Sequence, residues 1–314
     1  EAAGGVNTRF AGARALFASL RDEFLTMPDY VQVHPAHGAG SACGRALGSI
    51  ASTTVGYERE NAWWAPYLRD DDEDGFVTAL LDGQPDAHAY FARMKRQNKL
   101  GPAVIGEPAP LVEFDNATLA SRLASDELIF VDTRHNSKVH AGTVARSLNV
   151  PGVGKAASYG AWVYDPERES RPLVLLADNE TTAREYRDHL VRVGIDTVIG
   201  YTPSLDGLPL VVPAVIAQKD LGDASRALLL DVRNKTEFAD GHIPGAAQLS
   251  GGRVLWHLDE LPTDGRIIAY CQSGVRVSVA ASALRRAGYD VAELEGSYLG
   301  WLAHEDAKEA ISVG

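Results

Sequence analysis

IIAYCQSGVRVSVAASALRR, residues 267–286, carries the reading of this chain. Residues 267–270 are an unbroken apolar run, the pattern of a parallel strand covered on both faces. From 277 to 286 the spacing is helical, and Ala287 followed by Gly288 supplies a stop. Cys271 therefore stands at the carboxyl end of a strand and at the mouth of a helix, where open α/β sheets bind their ligands.

The same pattern occurs twice. LIFVDTRHNSKVHAGTVARSLNVP (128–151) and LLLDVRNKTEFADGHIPGAAQLS (228–250) align at a constant offset that matches Asp132 with Asp231, Arg134 with Arg233 and Gly142 with Gly241. Each is followed by a second apolar strand (RPLVLLAD, GRIIAYC), a helix (TTAREYRDHLVRVG, RVSVAASALRRAG) and a third short strand (IDTVIGY, YDVAELEG). Strands alternating with helices specify a parallel sheet with helices on its faces, and a repeat of about a hundred residues suits a duplicated domain. Pro-rich joints at 101–112 and 202–213 set expected boundaries near residues 105 and 205, giving segments 1–105, 106–204 and 205–314. The first segment differs: amphipathic helices at 8–29 and 88–101 flank one short strand and a Gly-rich loop, a poor core for that length.

Composition limits the function classes. The chain has 314 residues, is 45% hydrophobic and 23% charged, and carries a net charge of −12, which disfavours a nucleic-acid partner. No apolar run reaches the length of a membrane span and no signal peptide opens the sequence, so no membrane partner is expected. Two cysteines, Cys43 and Cys271, make no disulfide framework, and a reducing cytoplasm is the expected location. The chain opens on Glu1 rather than Met, which suggests a fragment.

Cys271 has two physical reasons for a depressed pKa: the amides of residues 272–276 can curl into a nest, and the helix N-terminus carries partial positive charge. Gly274 permits the tight curl, and a guanidinium at Arg276 can hold an anion as a planar fork. A bare Cys-x4-Arg reads more readily as a small core cysteine before a helix-start arginine; the strand–loop–helix setting reverses that preference.

Residues 205–314 resemble a rhodanese domain, on DVRNKTEFADGHIPGAAQLS, CQSGVR as the six-residue active-site loop, and GSYLGW near the end. The resemblance implies that Cys271 accepts a sulfane sulfur as a persulfide and passes it to a thiophilic acceptor. It implies further that Arg276 closes the loop and that Gln272, Ser273, Gly274 and Val275 supply cradle amides. Asp231, Arg233 and Glu237 would support the pocket, or else form an ordinary surface ion-pair set. Related phosphatases place the arginine one residue further on, so the spacing here favours sulfur transfer. The middle segment resembles the same fold without its chemistry: Ala177 or Asp178 stands in the nucleophile's place.

In the first segment, VQVHPAHGAGSACG and STTVGYERENAWW resemble the C-terminal part of a metallo-β-lactamase αββα fold, of the persulfide dioxygenase subfamily often fused to rhodaneses. By position His37 would be that family's last active-site histidine, with His34 its plain neighbour; the other metal ligands are absent from this sequence. Fe(II) is therefore expected only for an intact metal domain, and no cofactor for the sulfur-transfer step. The resemblance implies a sulfurtransferase acting in sulfide and persulfide oxidation on thiosulfate or thiol persulfides, with small thiols as acceptors. The alternative is a non-catalytic tandem module that docks a partner, self-associates as a homo-oligomer or senses redox state. The absence of a resolving cysteine near Cys271 counts against sensing.

Overall fold

The computed structural model of the chain describes residues 8–35, 52–84, 86–223 and 227–313. Two compact units divide between Asp86 and Ala87, ahead of the joint expected near residue 105.

The first unit contains α1 (Thr8–Asp22), the short strands β1 (Gln32–Val33) and β2 (Thr53–Thr54), and the helices α2 (Val55–Asn61), α3 (Ala65–Arg69) and α4 (Glu73–Leu81). β1 and β2 pair antiparallel, and the core is a small cluster of Ala13, Phe17, Leu68, Phe76 and Val77. The sequence reading expected one strand in this region. The additional helices start at local signals: the Thr54 and Asp72 side chains accept the Tyr57 and Gly75 amides, and Pro66 opens α3.

The second unit begins with α5 (Phe91–Leu100), stopped by Gly101 at φ 86°. It belongs here because the buried Arg93 donates to the Val193 carbonyl at 2.6 Å. A sheet domain follows: β3 (Val112–Glu113), α6 (Asn116–Ala124), β4 (Ile129–Asp132), α7 (Asn136–Val139), β5 (Thr143–Val144), β6 (Leu148–Asn149), α8 (Ala156–Val163), β7 (Leu173–Leu176), α9 (Glu180–Val191) and β8 (Val198–Thr202). Then β9 (Leu210–Val211) leads into a second sheet domain: β10 (Ala214–Ile216), β11 (Leu228–Asp231), α10 (Lys235–Asp240), β12 (Ala247–Gln248), β13 (Arg266–Tyr270), α11 (Val275–Arg286), β14 (Asp290–Leu294) and α12 (Ser297–Val313).

The two sheets have the same plan. The first runs β3-β8-β7-β4-β6 and the second β10-β14-β13-β11-β12, every pair parallel. The duplicated α/β architecture expected from the repeat is thus present. β7 is buried at all four positions and β13 at all but its first, because helices cover both faces of each sheet. The edge strands β3 and β10 span only two and three residues and carry no pattern legible in sequence.

α11 joins the two domains. Residues 277–284 are all buried, so the helix has no solvent face over that stretch. Val277, Ala280, Ala281 and Leu284 pack in the core of the second domain, whereas Val279 and Ala283 pack in that of the first. Polar contacts follow the same seam: the Asn149 amide donates to Ser282 Oγ at 2.9 Å, and His140 Nε2 meets the buried Glu293 at 3.0 Å. Among the described residues no helix is long and apolar enough to cross a membrane.

Candidate active site

β13 delivers Cys271 to the end of the central strand, and α11 starts four residues later. Gly274 caps the helix at φ 108°, a conformation that side chains resist, and this turns its amide back onto the sulfur: Gly274 N–H donates to Cys271 Sγ at 3.2 Å. The thiol is 1% exposed. Behind it, Ser297 at φ 54° places its Oγ 3.3 Å from the Cys271 amide and 3.9 Å from Sγ. The amides of Tyr298 and Leu299 donate to the carbonyls of Cys271 and Gln272 at 3.0 and 3.1 Å. The GSYLGW segment is therefore a clamp on the loop, a part for Ser297 that sequence reasoning did not assign.

Arg276 does not point a free guanidinium at the sulfur. Its Nη1 and Nη2 donate to Glu237 Oε2 and Oε1, both at 2.7 Å, a bidentate pair across α10 and α11. Arg276 holds the Glu237 carboxyl below the ordinary carboxylate range, and Glu237 holds the Arg276 guanidinium above its own. Glu237 also accepts the Asn234 amide in a capping box at the start of α10, which ties the pair to the backbone.

Asp231 and Arg233 form a second charged pair. Asp231 is 0% and Arg233 2% exposed, so the surface ion-pair reading is excluded. Arg233 Nε and Nη2 donate to the carboxylate at 3.0 and 2.7 Å; Nη2 also reaches the Gly241 carbonyl and Nη1 reaches Gln272 Oε1. The guanidinium lies 4.0 Å from the Tyr298 ring centroid. Burial works against the Arg233 charge, and the Asp231 carboxylate outweighs it and holds the group up. Burial likewise pushes the Tyr270 phenol up. A depression of about 300 Å³ beside this network is lined by Arg233, Glu237, Asp240, Gly241, Gln272 and Tyr298; Cys271 lies off its wall.

The first domain repeats the scaffold without the thiol. Arg134 donates to Asp132 and to the Gly142 carbonyl, the counterparts of Asp231 and Gly241. Strand register resolves which residue replaces the cysteine. Val131 pairs with Leu175 as Leu230 pairs with Ala269, so Ala177 corresponds to Cys271 and Asp178 does not. α9 begins three residues after Ala177, one fewer than separates Cys271 from α11. Because the Asp–Arg–Gly set persists where the thiol is gone, its work is to hold the strand-to-helix turn.

His37 and Cys43 lie outside the described residues, and His34 precedes them in an irregular stretch after β1. Among the described residues no group of three His, Cys, Asp or Glu side chains could hold a metal ion.

Residues 215–304 match the rhodanese-like domain family, a span that contains Cys271, Arg276, Asp231, Arg233 and Glu237. A sulfurtransferase of Allochromatium vinosum is 36% identical over 85 residues, which is 27% of this chain and 79% of that protein. The chain belongs to the rhodanese-like family. The thiosulfate sulfurtransferase GlpE of Pseudoalteromonas translucida is 32% identical over 85 residues, 27% of this chain and 81% of its own length. Among solved structures, a metallo-beta-lactamase of Staphylococcus aureus is similar over 63% of this chain at 25% identity and a TM-score of 0.48. The chain spans about half of that protein (52%). The rhodanese-like match itself covers the second sheet domain; the first shares its strand plan and the Asp–Arg–Gly hydrogen bonds.

Proposed function

We propose that the chain is a sulfurtransferase that carries sulfane sulfur as a persulfide on Cys271. The observation that carries the reading is the Gly274 amide donating to Sγ at 3.2 Å at the mouth of α11. Both the amide and the helix end favour negative charge on that sulfur, first as thiolate and then as the persulfide built on it. In the first step Cys271 Sγ attacks the sulfane sulfur of a donor such as thiosulfate. The new S–S bond forms as the donor's S–S bond breaks, and sulfite leaves with the electron pair. In the second step a thiophilic acceptor attacks the outer sulfur and Cys271 leaves as thiolate. Neither step needs an external oxidant or a cofactor. Arg276, held by Glu237, keeps the first turn of α11 in place while charge moves on the loop.

The same proposal takes the chain as part of a larger persulfide dioxygenase–sulfurtransferase protein, with thiol persulfides as further donors and small thiols as acceptors. The VQVHPAHGAGSACG motif and the order of the segments support it. The described residues do not assemble an iron site, and no step here passes through one.

The test is an intact mass of the purified chain before and after thiosulfate, with Cys271→Ser alongside. A gain of one sulfur atom on the native chain alone, removed by cyanide, is the expected result. No gain on the native chain, or an equal gain on Cys271→Ser, overturns the reading.

A further inference from the structure

α11 spans 12 residues, so its far end lies about 18 Å from the loop that carries Cys271. At that end two cavities, of about 330 and 240 Å³, share a wall of Tyr164, Asp165, Arg168 and Leu255. Together they are lined by six arginines against three carboxylates, in a chain whose net charge is −12. The pairing is uneven. Glu167 takes up Arg96, and Glu169 with Asp126 takes up Arg171. Asp165 stands 3.8 Å from Arg93 Nε and 3.7 Å from Arg168 Nε, beyond hydrogen-bonding distance of both. Arg168 donates instead to the Leu255 carbonyl at 3.2 Å. Arg286 reaches Glu169 Oε2 and the Arg146 carbonyl, each at 3.3 Å. The Arg146 guanidinium makes no hydrogen bond among the described residues, with Asp126 3.7 Å away.

Arg93, in the wall of the larger cavity, is 4% exposed, and its Nη2 has no hydrogen-bond partner among the described residues. A buried guanidinium with a vacant donor attracts an anion. Burial pushes both Arg93 and Arg286 down and is the largest influence on each, as expected of charge left uncompensated. Arg146 is an independent observation. It holds φ 60°, and the constant offset between the repeats matches it to Gly245, which holds φ 82° in the second domain. An arginine accepts backbone strain there that a glycine avoids, so the reason for it lies in the side chain. Val163, Leu258 and Ala283 make the smaller cavity apolar between its charges, and Asp165, common to both cavities, repels negative charge at the centre.

We propose that this groove binds a small organic dianion, one anionic group in the Arg93 cavity, the other in the Arg146–Arg286 cavity, and an apolar body along Leu255. Val163 and Arg168 belong to the first sheet domain, Leu255 and Arg286 to the second, so the ligand ties the two together. The inference is separate from the Cys271 reading above.

The experiment titrates the aliphatic dicarboxylates from succinate to suberate into the full chain by isothermal calorimetry, with hexanoate and hexanol as probes of one charge and none. The expected result is one-to-one binding of the best-fitting dicarboxylate, about fivefold tighter than hexanoate, the range of one partly exposed ion pair. Hexanol gives no binding heat. Arg146→Gly relieves the strained backbone, so it melts no lower than the native chain, and it weakens the dicarboxylate about fivefold. Arg168→Gln weakens it to a similar extent. Arg184→Gln, which removes an exposed arginine on α9 outside both cavities, leaves the affinity at the native value. Cys271→Ser also binds as the native chain does, so a failure of sulfur transfer leaves this result standing. Absence of binding across the series overturns the inference, as does equal affinity for the dicarboxylates and hexanoate. An equal loss in Arg146→Gly and Arg184→Gln overturns it by reducing the effect to bulk charge. Loss of binding in Cys271→Ser overturns it by placing the ligand at the thiol.

Discussion

Replacing Arg233 by Met isolates the buried pair beneath the catalytic loop. The perturbation leaves Asp231, which has no exposed surface, without its countercharge, and it removes the bonds from Arg233 to Gly241 and Gln272. Breaking a buried ion pair from one side costs about 3–5 kcal/mol, because an uncompensated charge is left in a site that water cannot reach. Replacing both partners by apolar residues of similar size, Asp231→Leu with Arg233→Met, removes the stranded charge and is expected to recover most of that loss. The equivalent change in the first domain, Arg134→Met, should cost less, because the Arg134 side chain is 29% exposed and solvent already screens it. The assay is urea unfolding of all three variants at neutral pH, followed by circular dichroism and compared by midpoint. A loss below about 1 kcal/mol for Arg233→Met, or a double variant less stable than the single, refutes the argument that the pair is desolvated and mutually dependent.

Three further outcomes follow from the site. Glu237 is depressed by Arg276, so the stability it contributes is present above its unfolded value and lost as pH falls through its folded value. Glu237→Gln should therefore flatten the acid limb of the stability profile measured by thermal melts between pH 3 and 7, about the range in which a carboxyl titrates. Ala177→Cys in a Cys271→Ser background should gain no sulfur from thiosulfate by intact mass, because the first domain's loop is one residue shorter and has no glycine at the start of its helix. Gly274→Ala meets both the positive φ and the Asn136 amide; a cost of about 1–3 kcal/mol and roughly tenfold slower loading of Cys271 are expected in a stopped-flow or quench measurement.

How much of this was legible in the sequence differs from residue to residue. The constant offset between the repeats anticipated that Asp132 and Asp231, Arg134 and Arg233, and Gly142 and Gly241 would play matched parts, and each does. Cys271 at the end of an apolar run was equally plain, since strand length and helix periodicity are local properties. The choice between Ala177 and Asp178 was not local: gap placement in a loop has no periodicity to guide it, and only the pairing of β7 with β4 settles it. Asn136 left no sequence signal either. It approaches the loop from more than a hundred residues away, and nothing in its own segment distinguishes a residue facing a neighbouring domain from one facing water. Arg276 read as a free fork because its partner, Glu237, lies on another helix.

α11 has one further consequence. It begins at the loop that carries Cys271 and ends with its side chains divided between two cores, one of which belongs to the domain with no thiol at the matching position. A boundary drawn at the joint near residue 205 would leave Val279 and Ala283 facing water and Ser282 without the Asn149 amide. The rhodanese-like domain here is thus not a portable module in the way its matched length suggests. Moved by duplication, fusion or rearrangement without its twin, the thiol-bearing half would expose part of the α11 face that it now buries.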